Sequence, residues 1–209
     1  MKYLIFDFDG VLADTYGPRM EVLLERGDRS KEEILAHTDQ YFTKSDHTRD
    51  LNLSKEAVLE RQERVVKFGK LLQAKGFDLF WEFIEELKKF NDVKMAVVSS
   101  GATIYIKPKL ENCGVEFSHI LSFEDHHSKE SKVETICKDW GISVTDAYFF
   151  TDTISDVKEL ENIMDKNNIY GCAWGYQGKE KLATVLDQEH ILENFSDIQK
   201  VFKTSNHKL

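Results

Sequence analysis

The chemistry available to this chain is concentrated where apolar runs stop at acidic residues. One such place is Phe6-Asp7-Phe8-Asp9-Gly10, two carboxylates two residues apart between a strand-like segment and a glycine turn. Another is Phe149-Phe150-Thr151-Asp152-Thr153-Ile154-Ser155-Asp156, which closes a second run in the same way. Acids gathered at strand ends repel one another and lose solvation, so a cation is expected to offset them. Hard carboxylate oxygens without imidazole or thiolate partners favour Mg²⁺ over zinc, and Mg²⁺ keeps waters that a substrate phosphate can replace. A third run ends Val97-Val98-Ser99-Ser100-Gly101, with a hydroxyl and backbone N–H groups at the start of a helical segment, a suitable cradle for a phosphate oxygen. One aspartate in such a place is ordinarily a helix cap or turn former, and Ser-Ser-Gly an ordinary turn. Two acid pairs at two strand ends exceed that reading.

The elements that must position these groups alternate. Tyr3 to Phe8, Lys94 to Ser99, Ile120 to Phe123 and Ala147 to Thr151 are short apolar runs separated by segments of helical period, the pattern of a parallel sheet. A fifth run, Ile169 to Trp174, is interrupted by Gly171. Carboxyl ends of such strands are where open α/β sheets bind ligands. Residues 16–90 are too long for a simple crossover and read as an inserted helical cap, leaving 1–15 and 91–209 as the core. Within the cap, Ser30 and Glu33 form a capping-box pattern. Val58, Leu59, Val65, Val66 and Leu72 make one apolar stripe, and Phe80, Phe83, Ile84 and Leu87 another. The aromatic residues Phe77, Phe80, Trp81 and Phe83 are read as core and not as a ligand box. Ile191 to Phe202 reads as a short strand passing into a final helix.

Composition narrows the partners. With 209 residues, 28 basic against 37 acidic side chains and a formal net charge of −9, the chain is an ordinary globular protein poorly suited to nucleic acid or anionic membrane. Cys113, Cys137 and Cys172 form neither a CxxC pair nor an even framework, and no apolar run approaches membrane-spanning length, so a reducing, cytoplasmic location is expected. His126-His127 is read as a loop pair pointing to opposite faces, without a third imidazole to make a zinc site.

The motifs DFDGVLADT at 7–15, VVSSG at 97–101 and TDTISD at 151–156, in that order, resemble the haloacid dehalogenase-like superfamily of aspartate-nucleophile hydrolases. Ala173-Trp174-Gly175-Tyr176 with Leu182 is similar to its phosphoglycolate-phosphatase-like members. The resemblance implies a Rossmann-like, three-layer α/β/α core with a cap. It implies that Asp7 attacks phosphorus and that Asp9 protonates the leaving oxygen and later activates water, nucleophilic and acid–base catalysis by neighbouring carboxyls. Ser99, with Ser100 and Gly101, would hold the phosphoryl group. Asp7, Asp9 through its backbone carbonyl, Asp152 and Asp156 would make the Mg²⁺ site. Thr151 stands where the family usually has glycine. A family lysine that offsets the nucleophile is Lys129 or Lys132. The resemblance favours Lys129, twelve residues before Gly141, because Val133, Ile136 and Trp140 stand at the apolar positions that the family's helix shows, whereas Lys132 would sit in a capping box of Ser131 and Glu134. The bland reading of either is a solvated surface lysine.

Because members that cleave carbon–halogen bonds lack an acid at the position of Asp9, a phosphate ester is the expected substrate class, in the form of a small phosphorylated metabolite. Two alternatives remain from sequence: a phosphomutase of the β-phosphoglucomutase type, and a binding protein on the same scaffold. Arg19, Lys44 and Arg49 are candidate anion contacts in the cap, with surface charge as their ordinary role.

Overall fold

The computed structural model describes residues 1–44 and 53–203. Among these, six strands form one sheet in the order β5 (His119–Leu121), β4 (Val93–Val98), β1 (Lys2–Phe6), β6 (Ala147–Thr151), β7 (Ile169–Cys172) and β8 (Ile191–Leu192). Every pairing is parallel. The chain runs from β1 to β4 and β5 on one side, then returns to β6 on the other. β1 therefore stands at the topological switch point, where such sheets bind ligands. The first strand, expected over Tyr3 to Phe8, is observed as Lys2–Phe6, so Asp7 and Phe8 lie beyond its ladder.

Period-2 alternation divides β1 between two cores. Leu4 and Phe6 enter one apolar cluster and Ile5 the other, all fully buried. On the first face Phe6 stacks on Phe150 at 4.7 Å between centroids and meets Phe83 edge-on at 6.0 Å. On the second, Ile5, Ala96 and Val98 pack with Val133, Ile136 and Cys137. These last belong to a helix over Lys129–Trp140 whose N-cap is Ser128, accepting from the Ser131 N–H at 3.4 Å. The expected capping box of Ser131 and Glu134 is not its start. The buried Glu159 carboxylate accepts from the Ser128 hydroxyl at 3.3 Å and the Lys129 N–H at 2.7 Å, which moves the start upstream and places Lys132 inside the helix.

The segment after the first motif contains α1 (Tyr16–Glu25), α2 (Lys31–Thr43) and α3 (Lys55–Lys75). The Ser30–Glu33 capping box opens α2, with bonds of 2.8 and 3.2 Å. β2 (Ala13–Asp14) and β3 (Asp78–Leu79) pair antiparallel, tying together the two ends of this segment. α4 (Trp81–Leu87) then packs Phe83, Ile84 and Leu87 into the cluster that holds Phe6, so part of the 16–90 segment lies against the sheet. Two expectations about apolar stripes are corrected. Trp81 is 49% and Leu59 61% exposed, because each stands on the solvent side of a helix whose other face is packed.

Candidate active site

Strand register delivers the motif residues to one edge. Phe6 lies opposite both Val97 and Phe150, so the chain leaves β1, β4 and β6 at neighbouring points. The Asp7 N–H donates to the Phe150 carbonyl at 2.9 Å, fixing the end of β1 against β6. Gly10, at φ +75°, permits the next turn, where a Cβ would stand 2.0 Å from the Asp152 carboxylate.

At the floor Asp7 is 6% exposed, and its Oδ2 lies 2.8 Å from the Lys129 ammonium. The same nitrogen donates to Asp156 Oδ2 at 2.6 Å. Asp156 Oδ2 also accepts from the Thr151 hydroxyl at 2.6 Å, so the threonine in place of glycine fixes an acid. Burial pushes Asp7 well above the usual carboxylate range, and the Lys129 charge opposes this without cancelling it. Asp156 is lowered instead: burial would raise it, but the Lys129 charge and the two hydrogen bonds outweigh burial. Burial likewise disfavours the Lys129 ammonium, yet Asp156 and Asp7 raise its pKa, so it stays charged.

Asp9 is held by hydroxyls. Its Oδ1 accepts from Thr15 Oγ1 and its Oδ2 from the Tyr105 phenol, each at 2.7 Å. Burial, then the Asp9 charge, pushes the Tyr105 phenol well up, which keeps it a donor. Gly101 allows this approach, since a Cβ there would stand 1.8 Å from the phenol oxygen. Ser99 is fully buried. Its Oγ accepts from the Gly101 N–H at 2.9 Å and lies 3.5 Å from Asp9 Oδ2, whereas Ser100 and Gly101 line the cavity.

Both candidate lysines are buried, so neither is a solvated surface lysine. Lys129 reaches Asp7. Lys132 donates to the backbone carbonyls of Ser99 at 2.5 Å and Ser122 at 3.2 Å. Its pKa is pushed down to about 7 by burial and then by the Lys129 charge.

Asp152 is the acid whose surroundings best suit a cation. It is fully buried, its Oδ2 accepts from the Tyr176 N–H at 2.7 Å, and its Oδ1 has no hydrogen-bond partner. Burial drives its pKa up to about 8 against that N–H. Among the described residues no three His, Cys, Asp or Glu side chains form a ready-made cage. Mg²⁺ does not require one, since it is commonly held by one or two carboxylates with water and substrate phosphate. The residues fit that pattern: Asp152 keeps an unpartnered oxygen, Asp7 and Asp156 share Lys129, and the Asp9 carboxylate is engaged by hydroxyls, so Asp152 with Asp7 or Asp156 could supply side-chain ligands.

These groups form the floor of a cavity of about 530 Å³ whose roof is α1, α2 and α3. The Arg19 guanidinium lies over the rings of Tyr41, Phe42 and Phe68 at 5.8, 5.3 and 5.3 Å. It is thus a cavity residue, while Lys44 is exposed and Arg49 lies outside the described residues. Thr15, Tyr105, Arg61 and Arg64 were not foreseen. Thr15 sits inside the DFDGVLADT motif and was within reach of a closer reading; nothing local marks the others. The His126 and His127 rings stack at 4.6 Å, because the chain turns there where an extended segment was expected to separate them.

A family model described as haloacid dehalogenase-like hydrolase matches residues 1–163. The chain therefore belongs to the haloacid dehalogenase-like hydrolases. No curated protein matches it significantly. Among solved structures it is similar to a hydrolase from Pseudomonas syringae, with TM-score 0.70, 16% identity and coverage of 98% of this chain and 99% of that one. A predicted phosphatase from Clostridium acetobutylicum gives 0.67 and 18%, covering 97% and 98%. A predicted phosphoglycolate phosphatase from Haemophilus somnus gives 0.60 and 18%, covering 97% and 98%. At such identities the likeness is one of fold.

Proposed function

We propose that the protein is a Mg²⁺-dependent phosphatase acting on a small phosphorylated metabolite through an aspartyl-phosphate on Asp7. The observation that carries this reading is a buried Asp7 paired with Lys129 at 2.8 Å beside an Asp9 already held by hydrogen bonds. The descriptions of two similar structures as predicted phosphatases agree with it. Three buried free cysteines agree with a cytoplasmic setting.

In the first step an Asp7 oxygen forms a bond to phosphorus as the ester P–O bond breaks, and Asp9 gives its proton to the departing alkoxide. Lys129 carries a positive charge that favours the ionised form of Asp7, against burial, which favours the neutral acid. In the second step Asp9 takes a proton from water, the water oxygen bonds phosphorus and the Asp7–phosphorus bond breaks. Thr15 and Tyr105 fix the Asp9 carboxyl for both transfers. Ser100 and Gly101 line the position of the transferred group, and Ser99 orders their turn. Asp7, Asp152 and the Asp9 carbonyl would hold magnesium, which supplies positive charge against the buried acids and the phosphoryl oxygens. α1, α2 and α3 form the cap that excludes bulk water during the reaction.

The test is turnover of a generic aryl phosphate and a panel of sugar and nucleotide phosphates with Mg²⁺. Release of inorganic phosphate by the native chain and none by Asp7→Asn is expected. Phosphate arriving on a second sugar hydroxyl, and not in solution, would replace hydrolysis with a mutase; equal rates for native chain and variant would remove Asp7 from the mechanism.

A further inference from the structure

All six arginines of this chain, Arg19, Arg26, Arg29, Arg49, Arg61 and Arg64, fall between residues 19 and 64, while the remaining 22 of its 28 basic residues are lysines spread from end to end. Five of the six line the cavity roof; the sixth lies outside the described residues. Among the described residues no lysine lines the roof, Lys129 belonging to the floor. A surface that merely needed charge could use lysine, as the rest of the chain does without any arginine. Arginine differs from lysine in presenting a planar fork that grips carboxylate or phosphate in two-point fashion and in stacking on aromatic faces.

α3 shows the selection most directly. Arg61, Arg64, Val65, Phe68 and Leu72 face the cavity at spacings of three and four, one stripe of the helix. On an amphipathic helix such a stripe is ordinarily apolar throughout, yet its N-terminal turn carries two cations. Arg61 is half-buried with its guanidinium over the Phe123 ring at 5.7 Å, and Arg19 lies on its three rings. Stacking fixes the planes of both forks and leaves their edges for a ligand. Among the described residues no carboxylate lies within 4 Å of Arg19, Arg29, Arg61 or Arg64. Only Arg26 has such a partner, Asp28 at 3.5 Å on the exposed rim. The roof is therefore a concentrated cationic surface in a chain of formal charge −9, and its guanidinium groups repel one another until an anion arrives.

The phosphate attacked at Asp7 cannot be the anion this roof serves, because it is received by Lys129 and the turn at Ser100 and Gly101 on the floor. We infer that the substrate carries a second oxyanion, a phosphate or a carboxylate, remote from the scissile ester, and that Arg61 and Arg64, with Arg19 beside them, bind it. This inference rests on the phosphatase reading for the identity of the first anion. The cavity of about 530 Å³ has room for a metabolite that spans floor and roof.

The test is equilibrium binding, in Mg²⁺, of three non-hydrolysable ligands: a short alkylphosphonate, the same chain ending in a carboxylate, and the same chain ending in a second phosphonate. At least one doubly anionic ligand should bind the native chain about tenfold or more tightly than the single phosphonate, since charge-assisted bonds to arginine exceed that threshold. Which one does so distinguishes carboxylate from phosphate. Arg61→Ala with Arg64→Ala should cut the gain to below about threefold, and Arg61→Lys with Arg64→Lys should retain part of it, separating charge from the fork. Equal binding of all three ligands by the native chain overturns the inference, as does a double alanine variant that keeps the whole gain. If the alanine variant fails to fold, the native comparison and the lysine variant decide. A tenfold gain without turnover of any ester would reject the phosphatase reading alone; turnover without the gain would reject the second-anion site alone.

Discussion

The floor and the roof of this cavity solve the problem of charge in opposite ways. On the floor, Asp7, Lys129, Asp152 and Asp156 are nearly inaccessible; Asp7 and Asp156 share the Lys129 ammonium, and Asp152 alone keeps a buried oxygen without a partner among the described residues. On the roof, the arginines are half-buried or exposed, and most lack a carboxylate partner among the described residues. Buried charges interact strongly and must be paired in place, whereas exposed ones are screened and can wait for a ligand. On the proposed reading, the chemistry resides where the geometry is fixed, and selection of the substrate where it is adjustable.

If that contrast is right, substitutions on the floor should be costly and those on the roof's outer surface nearly silent. Asp9→Asn should lower kcat by about 10²–10⁴-fold, the usual worth of a positioned acid–base group, in steady-state assays of phosphate release. Lys129→Met leaves Asp7 and Asp156 buried without their counter-ion, and chemical denaturation should show a loss of about 3–5 kcal/mol.

Lys132 sharpens the comparison through pH. Its folded pKa is about 7 against 10.5 unfolded, so between those values the unfolded chain binds more protons and stability rises with pH; below about 7 both states are charged and the burial cost is fully present. The shift corresponds to an effect on the order of 5 kcal/mol. The melting temperature of the native chain should therefore gain more than that of Lys132→Met between neutral and alkaline pH. Parallel curves would contradict the burial of a charged lysine. Saturating Mg²⁺ should stabilise the native chain by about 2–3 kcal/mol at roughly a hundredfold excess over its dissociation constant, and Asp152→Asn should abolish most of that gain in a thermal melt. Leu59→Ser, on the outer face of α3, should change stability by less than about 0.5 kcal/mol.

The same contrast decides what the sequence could reveal. Asp7, Asp9, Asp152 and Asp156 follow strand ends directly, so finding β1 and β6 is enough to bring them together. Parallel strands buried on both faces read as continuous apolar runs, which is why the five principal strands were visible. Tyr105 was not visible, because its contact with Asp9 depends on how α5 (Thr103–Leu110) packs and on a glycine that clears the path. The role of Lys132 was hidden by a plausible cap at Ser131, which a buried glutamate thirty residues away displaced. α4 looked like the last cap helix because its apolar stripe does not say which surface covers it. The roof was least legible of all: arginine on a helix reads as solvated charge until the opposite wall of a cavity is known.

The most direct measurement is to mix the protein with an aryl phosphate and Mg²⁺, quench in acid within a turnover and map the phosphoryl group onto peptides. A covalent phosphoryl on Asp7, absent in Asp7→Asn, is the predicted result. Phosphate release at full rate with no phosphoryl on Asp7, or a phosphoryl on another residue, would contradict it.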